Sequence, residues 1–227
     1  MVVHRLENGL PWLPVESLTM LAKQRTLLWQ VISREYWKDC DDEACHLNEQ
    51  YAKYLNIALE SEKPLQVLDI GAGFCGYNIL LAKKHAGMKL TVLDASHEDK
   101  DFKLGYQARG EQYNDFGMLE IVFEQTNIHQ DRYELVDFRT IDVLEWASNR
   151  LGQYDVIQSL YSWCFHYPYE TYRHAVQKLL KPGGIIVVDC RKIPEQMNLL
   201  FEDFDLLSDV TPYGNPSSSR LVLRKKI

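Results

Sequence analysis

Asp69, Asp94 and His166, together with Gly71 and Gly73, are the residues of this chain whose types and spacing point most directly to chemistry. Asp69 stands two residues before the first glycine of Val67-Leu68-Asp69-Ile70-Gly71-Ala72-Gly73-Phe74-Cys75-Gly76. Val67, Leu68 and Ile70 read as a buried strand. Gly71 and Gly73 let the backbone turn sharply and approach a ligand closely. Over residues 75–85 the apolar side chains Ile79, Leu80 and Ala82 then recur at helical spacing. A strand–turn–helix unit of this kind holds a ligand at the carboxyl end of a parallel strand.

The spacing Gly71-x-Gly73-x-x-Gly76 fits the dinucleotide fingerprint. Asp69 pulls the other way, because a carboxylate there repels a pyrophosphate and suits a cation. Asp94 ends the next apolar run, Leu90-Thr91-Val92-Leu93, where it could accept hydrogen bonds from ribose hydroxyls. A ligand with an ammonium group, a ribose and no phosphate fits both acids, and S-adenosyl-L-methionine (SAM) is such a ligand.

At these residues the chain resembles the class I (Rossmann-like) SAM-dependent methyltransferases of the small-molecule type. Four stretches match in the family's order across residues 65–192: Val67-Leu68-Asp69-Ile70-Gly71-Ala72-Gly73, Val92-Leu93-Asp94-Ala95, Thr140-Ile141-Asp142-Val143-Leu144 and Leu179-Leu180-Lys181-Pro182-Gly183-Gly184-Ile185-Ile186-Val187-Val188-Asp189. The resemblance implies that Asp69, Gly71, Ala72 and Gly73 hold the methionyl end of SAM, Asp94 and Ala95 the ribose, and Asp142 and Val143 the adenine side. Ser159, after the fourth strand, joins that cofactor set. It also implies S-adenosyl-L-homocysteine (SAH) as product.

In such a fold the segment after the fourth strand is the catalytic suspect. Here it reads Gln158-Ser159-Leu160-Tyr161-Ser162-Trp163-Cys164-Phe165-His166-Tyr167-Pro168. It lacks the Asn/Asp-Pro-Pro-aromatic tetrapeptide of amino methyltransferases acting on adenine or cytosine, and the Pro-Cys pair of 5-methylcytosine enzymes. His166 is the expected catalytic base, since a hydroxyl acceptor must lose a proton and histidine titrates near neutrality. Related small-molecule methyltransferases often carry a histidine at this place. The alternative role for His166 is a cap or a backbone hydrogen bond. Cys164 is not expected to act as a nucleophile, because methyl transfer needs no covalent intermediate. Tyr161, Trp163, Phe165 and Tyr167 could wall the site against water, or could simply be core. Asp189 resembles one ligand position of the magnesium-dependent catechol-type enzymes, but the matching acid after the fourth strand is missing, so no metal is expected. Tyr161 and Arg191 are candidate substrate contacts, with Lys192 beside them, and an arginine there could clamp a phosphate or carboxylate.

These residues need elements to position them. Alternating strand and helix patterns predict an α/β fold: a doubly wound, mostly parallel sheet with strands at 65–70, 90–94, 134–140, 154–158 and 185–189, closed by a hairpin of 204–210 and 220–224. The resemblance implies seven strands in the order 3-2-1-4-5-7-6, the last antiparallel. Residues 1–63 read as an N-terminal helical cap, with helices over 16–37 and 47–59 separated by an acidic break at 39–43. That cap could be a layer on the sheet or a lid using Tyr36, Trp37, Tyr51 or Tyr54. Residues 64–227 form the core, with a helical insertion near 101–131 made of helices at 101–113 and 115–127. Tyr106, Arg109, Tyr113 and Asn114 of the insertion are candidate acceptor contacts, Tyr113 and Asn114 foremost.

The composition narrows the function classes. A formal net charge of −7 over 227 residues argues against a strongly basic nucleic-acid footprint. No apolar run approaches a bilayer span, and the N-terminus lacks a signal-peptide segment, so a cytoplasmic location is expected. Five scattered cysteines include Cys40 and Cys45 beside His46, but no second Cys/His pair stands at zinc-ligand spacing. The segment 161–168 followed by Asp189-Cys190-Arg191-Lys192 is similar to methyltransferases of bacterial surface-polysaccharide pathways. The expectation is therefore O-methylation of a small polar acceptor, sugar- or phosphate-bearing. RNA or protein methylation, a non-catalytic SAM-binding subunit and a nicotinamide dehydrogenase are the alternatives.

Overall fold

The structure, a computed structural model, describes residues 4–5, 11–12, 34–57, 63–96, 116–210 and 216–226. The chain runs through helix α1 (Arg34–Leu55), strand β1 (Leu65–Ile70), helix α2 (Gly76–Lys84), β2 (Met88–Asp94), α3 (Phe116–Gln125), β3 (Tyr133–Asp137), α4 (Val143–Ser148), β4 (Tyr154–Ser159), α5 (Arg173–Leu179), β5 (Leu180–Arg191), α6 (Pro194–Asp203), β6 (Phe204–Val210) and β7 (Ser218–Lys225). The seven strands form one sheet in the order β3-β2-β1-β4-β5-β7-β6. β7 is antiparallel to both its neighbours, and β1 to β5 pair in parallel.

Side chains alternate across a strand, so a strand covered on both faces is apolar almost throughout. Leu65 and Val67 of β1 and Val156 of β4 face one layer, with Trp37, Leu47 and Tyr51 of α1, Ile79 and Leu81 of α2 and Leu119 and Phe123 of α3. Leu68, Ile70, Ile157 and Ile186 face the other, with Trp146 of α4, Val176 and Leu179 of α5 and Leu200 of α6. The register sets Val67 against Val156 and Asp69 against Gln158, so Asp69 faces the α1 and α2 layer.

Three expectations change. The acidic run at 39–43 is not a break: it lies within the continuous helix α1. Trp37, Cys40, Glu43, Ala44, Leu47 and Tyr51 share the buried face, and Asp39, Asp41 and Asp42 are exposed. The helix continues because Glu43 finds a buried cation in Arg220. β3 ends at Asp137 rather than at residue 140. There the Asp137 carboxylate accepts the Arg139 backbone N–H at 3.0 Å, and Thr140 N–H donates to Asp137 O at 3.0 Å, which turns the chain. β5 begins earlier than residue 185, because Leu180 already pairs with Tyr154 across an irregular step. The expected helix at 101–113, with Tyr106, Arg109, Tyr113 and Asn114, and the first helix as far as residue 33 lie outside the described residues.

Candidate functional site

The sheet order reverses between β1 and β4, and the carboxyl ends of these strands carry the candidate residues. Gly71 and Gly73 have φ of +72° and +53°. Side chains rarely tolerate that region, which is why glycine is needed at both. A Cβ on Gly71 would also meet the Ser162 Oγ at 1.9 Å, so the segment after β4 lies directly over the turn. Gly71 N–H donates to Leu93 O at 2.9 Å, tying the turn to β2.

Asp69 is completely buried. Its Oδ2 accepts three hydrogen bonds, from Tyr77 Oη at 2.7 Å, Asn78 Nδ2 at 2.7 Å and Gln158 Nε2 at 2.8 Å. Its Oδ1 is equally buried and has no hydrogen-bond partner among the described residues. Burial pushes the carboxyl up to about 6 against the pull of those three donors. A cation beside Oδ1 would relieve that desolvation.

Asp94 is oriented by two backbone donors: Gly73 N–H reaches its Oδ2 at 3.1 Å and Ala95 N–H its Oδ1 at 2.7 Å. The second glycine and the acid at the end of β2 are thus one unit. Ala72 and Ala95 are buried beside them. Asp142 caps α4, its Oδ1 accepting from the N–H groups of Leu144 and Glu145, both at 2.9 Å. It is exposed, and Val143 is half-buried. Ser159 is fully buried. Its hydroxyl donates to Ile70 O at 2.7 Å and accepts from Trp163 N–H at 2.8 Å, so it straps β1 to the segment after β4.

That segment is a compact set of turns. Phe165 N–H and His166 N–H both donate to Ser162 O, at 3.0 and 2.6 Å. His166 is half-buried, its ring 5.1 Å from Phe165 at an interplanar angle of 77°. Because Ser162 also covers Gly71, the His166 backbone is one hydrogen bond from the residue over the glycine turn. Trp163 is core: it is fully buried, stacks on Tyr169 at 5.4 Å and donates its Nε1–H to Tyr169 O at 2.9 Å. Tyr161, Phe165 and Tyr167 are half-buried. Cys164 is fully buried, and burial raises its thiol well above the ordinary range. Arg191 lies beside Phe165, with Cζ 4.5 Å from the ring centroid and Nε donating to Phe165 O at 2.8 Å.

Several neighbours of these residues carried little signal in the sequence. Tyr51 Oη donates to Gln158 Oε1, linking α1 to Asp69 through β4. Arg220 is 3% exposed and binds Asp189 through two bonds of 2.7 Å, and also Glu43 of α1. The charges of this buried triad act on the hydroxyl of Tyr161, a candidate substrate contact. Burial raises the Tyr161 hydroxyl to about 12, with the Asp189 charge adding to it. A polar glutamine inside the run Val156-Ile157-Gln158 was the one visible cue to the network around Asp69. Among the described residues no group of three or more His, Cys, Asp or Glu could hold a metal ion, and no helix is long and apolar enough to cross a membrane.

No family model and no curated protein matches the sequence. Solved structures do. Human methyltransferase-like protein 13, in complex with SAH, aligns with a TM-score of 0.52 at 18% identity over 86% of this chain and 83% of that one. N-methyltransferase NodS from Bradyrhizobium japonicum WM9, in complex with SAH, aligns with a TM-score of 0.52 at 16% identity over 82% and 87%. The cyclase SpnF aligns with a TM-score of 0.53 at 13% identity over 80% and 81%. At such identities the likeness establishes the fold, and the presence of a cyclase on it shows why function must be argued from the site.

Proposed function

We propose that this chain, which has the fold of the class I SAM-dependent methyltransferases, binds SAM at the carboxyl ends of β1 and β2 and methylates an oxygen of a small polar acceptor. The observation that carries this is the Asp69 carboxylate: three donors on Oδ2 and none, among the described residues, on a buried Oδ1. A buried acceptor left without a donor is disfavoured by about 1–3 kcal/mol. The ammonium of a methionyl group supplies that donor and a compensating charge. A pyrophosphate would instead set like charges together, which favours SAM over a dinucleotide on the same glycine turn.

The residues divide the work. Gly71, Ala72 and Gly73 let the ligand come close to the backbone, with Asp69 beneath it. Asp94, held by Gly73 and Ala95 N–H groups, receives ribose hydroxyls. Asp142 and Val143 border the adenine. SAM supplies a methyl group on a positively charged sulfur, so transfer to an oxyanion removes a pair of opposite charges, which a dry site favours. Tyr161, Phe165 and Tyr167 keep water out, a ring nitrogen of His166 takes the acceptor's proton, and Arg191 orients an anionic group on the acceptor. A sugar- or phosphate-bearing metabolite, as in surface-polysaccharide synthesis, fits that set. The net charge of −7 favours such an acceptor over RNA.

The test is incubation with SAM and panels of phosphorylated and glycosylated metabolites, read by mass spectrometry. A methyl gain on a hydroxyl, slowed at least about a hundredfold in His166→Ala, is expected. SAM binding without turnover on any panel, or methylation of amines alone, would contradict the oxygen assignment.

A further inference from the structure

We infer that Tyr51 and Gln158 are positioning residues for Asp69: the hydroxyl on α1 fixes the amide on β4, and that amide fixes the carboxylate. The inference rests on Asp69 being the ammonium site proposed above.

Tyr51 is fully buried and lies 107 residues from Gln158 in sequence. Burial first, then the charges of Asp69 and Glu43, push its hydroxyl well up, so it keeps its proton and donates it. The oxygen of the Gln158 amide faces Tyr51 and accepts that proton. This turns the amide nitrogen the other way, where Nε2 donates to Asp69 Oδ2 at 2.8 Å and to Asn78 Oδ1 at 2.6 Å. Asn78 agrees with that assignment, because its Nδ2 is already committed to Asp69 Oδ2 at 2.7 Å. Every donor and acceptor along Tyr51, Gln158, Asn78 and Asp69 then has one consistent orientation. Turned over, the Gln158 amide would set its oxygen against the carboxylate. The Tyr51 hydroxyl is what a single oxygen atom on α1 contributes against that turn.

The consequence for the site is directional. The network fills Oδ2 and leaves Oδ1 as the oxygen that can meet a cation. Around Asp69 stand titratable groups that no Tyr51 or Gln158 variant would remove: Tyr77 donates to its carboxylate, its charge acts on Cys75 just before α2 together with that of Asp94, and Glu43 on α1 acts with it on Tyr51. A change in the proton affinity of Asp69 on altering Tyr51 or Gln158 would thus report on the latch itself.

The experiment is calorimetric titration of the full chain with SAM from about pH 5.5 to 8.5, spanning the Asp69 transition, for wild type, Tyr51→Phe, Gln158→Met and the double variant. In Tyr51→Phe the carboxylate loses support and takes up its proton at higher pH. SAM affinity is expected to fall about three- to tenfold near pH 6.5 and to return to within about twofold of wild type near pH 8.5. Gln158→Met should behave alike, and the double variant no worse than Gln158→Met alone. Unchanged affinity at every pH, a loss equal at every pH, or additive losses would overturn the inference. If Tyr51→Phe fails to fold, the pH profile of Gln158→Met decides. If wild type binds no SAM, the cofactor proposal fails separately. The latch is then read without ligand, as an upward shift of the Asp69 carboxyl titration in carbon-13 NMR of Tyr51→Phe, and no shift would refute it.

Discussion

Asp69 and Gln158 stand opposite each other in register at the carboxyl ends of β1 and β4, joined by a 2.8 Å hydrogen bond from Nε2 to Oδ2. Two parallel strands thus meet at a buried charge rather than at an apolar pair, at the point where the strand order reverses.

SAM affinity should depend on pH through Asp69. In the ligand-free protein burial raises this carboxyl to about 6, and a bound ammonium favours its ionised form. Affinity therefore falls about tenfold per unit below pH 6, and above it is flat up to the pH at which the ligand's own ammonium gives up its proton. Calorimetry across that range measures the slope, with proton release on binding near pH 6 as an independent check.

Asp69→Asn should exchange binding for stability. A folded-state value above the unfolded 3.8 means that the carboxyl's contribution to stability is fully present below about pH 4 and is lost as pH rises through about 6. At neutral pH the amide removes that penalty. Urea unfolding of the ligand-free variant is expected to show a gain of up to about 3 kcal/mol, with SAM binding abolished.

Arg220→Met should be severe. It leaves Glu43 and Asp189 buried without their cation. Removing one partner of a buried ion pair commonly destabilises by about 3–5 kcal/mol. Urea unfolding at pH 7 tests this, and lowering the pH should narrow the gap to wild type as the stranded carboxylates take up protons.

His166→Ala should lower kcat by about 10²–10⁴-fold and leave the SAM dissociation constant unchanged. Steady-state rates with an identified acceptor, set beside calorimetry, separate the two. An equal fall in SAM affinity would show that His166 holds the cofactor instead.

Much of this architecture was legible because buried parallel strands write themselves as apolar runs. β1 at 65–70 and β6 at 204–210 fall where the pattern sets them, and the hairpin closing the sheet follows from the turn formers before residue 220. The helix through 39–43 was not legible, since an acidic cluster reads as solvated until Arg220, 177 residues away, is seen to bury Glu43. Strand β3 is shorter than its apolar pattern because the Asp137 side chain ends it. At the site, Asp69 and Asp94 carried their own signal through the glycines between them. Tyr51 showed only as an aromatic of the cap and Gln158 only as a polar residue ending an apolar run, and Asn78 carried no signal, because a buried polar group is recognisable by its partners, and these come from three separate elements.

The measurement that bears most directly on the central claim is calorimetric titration of the folded chain with SAM and SAH, for wild type, Asp69→Asn and Asp94→Ala. Micromolar binding by wild type, lost in both variants, is the predicted result. No binding by folded wild type, or binding that survives Asp69→Asn, would contradict it.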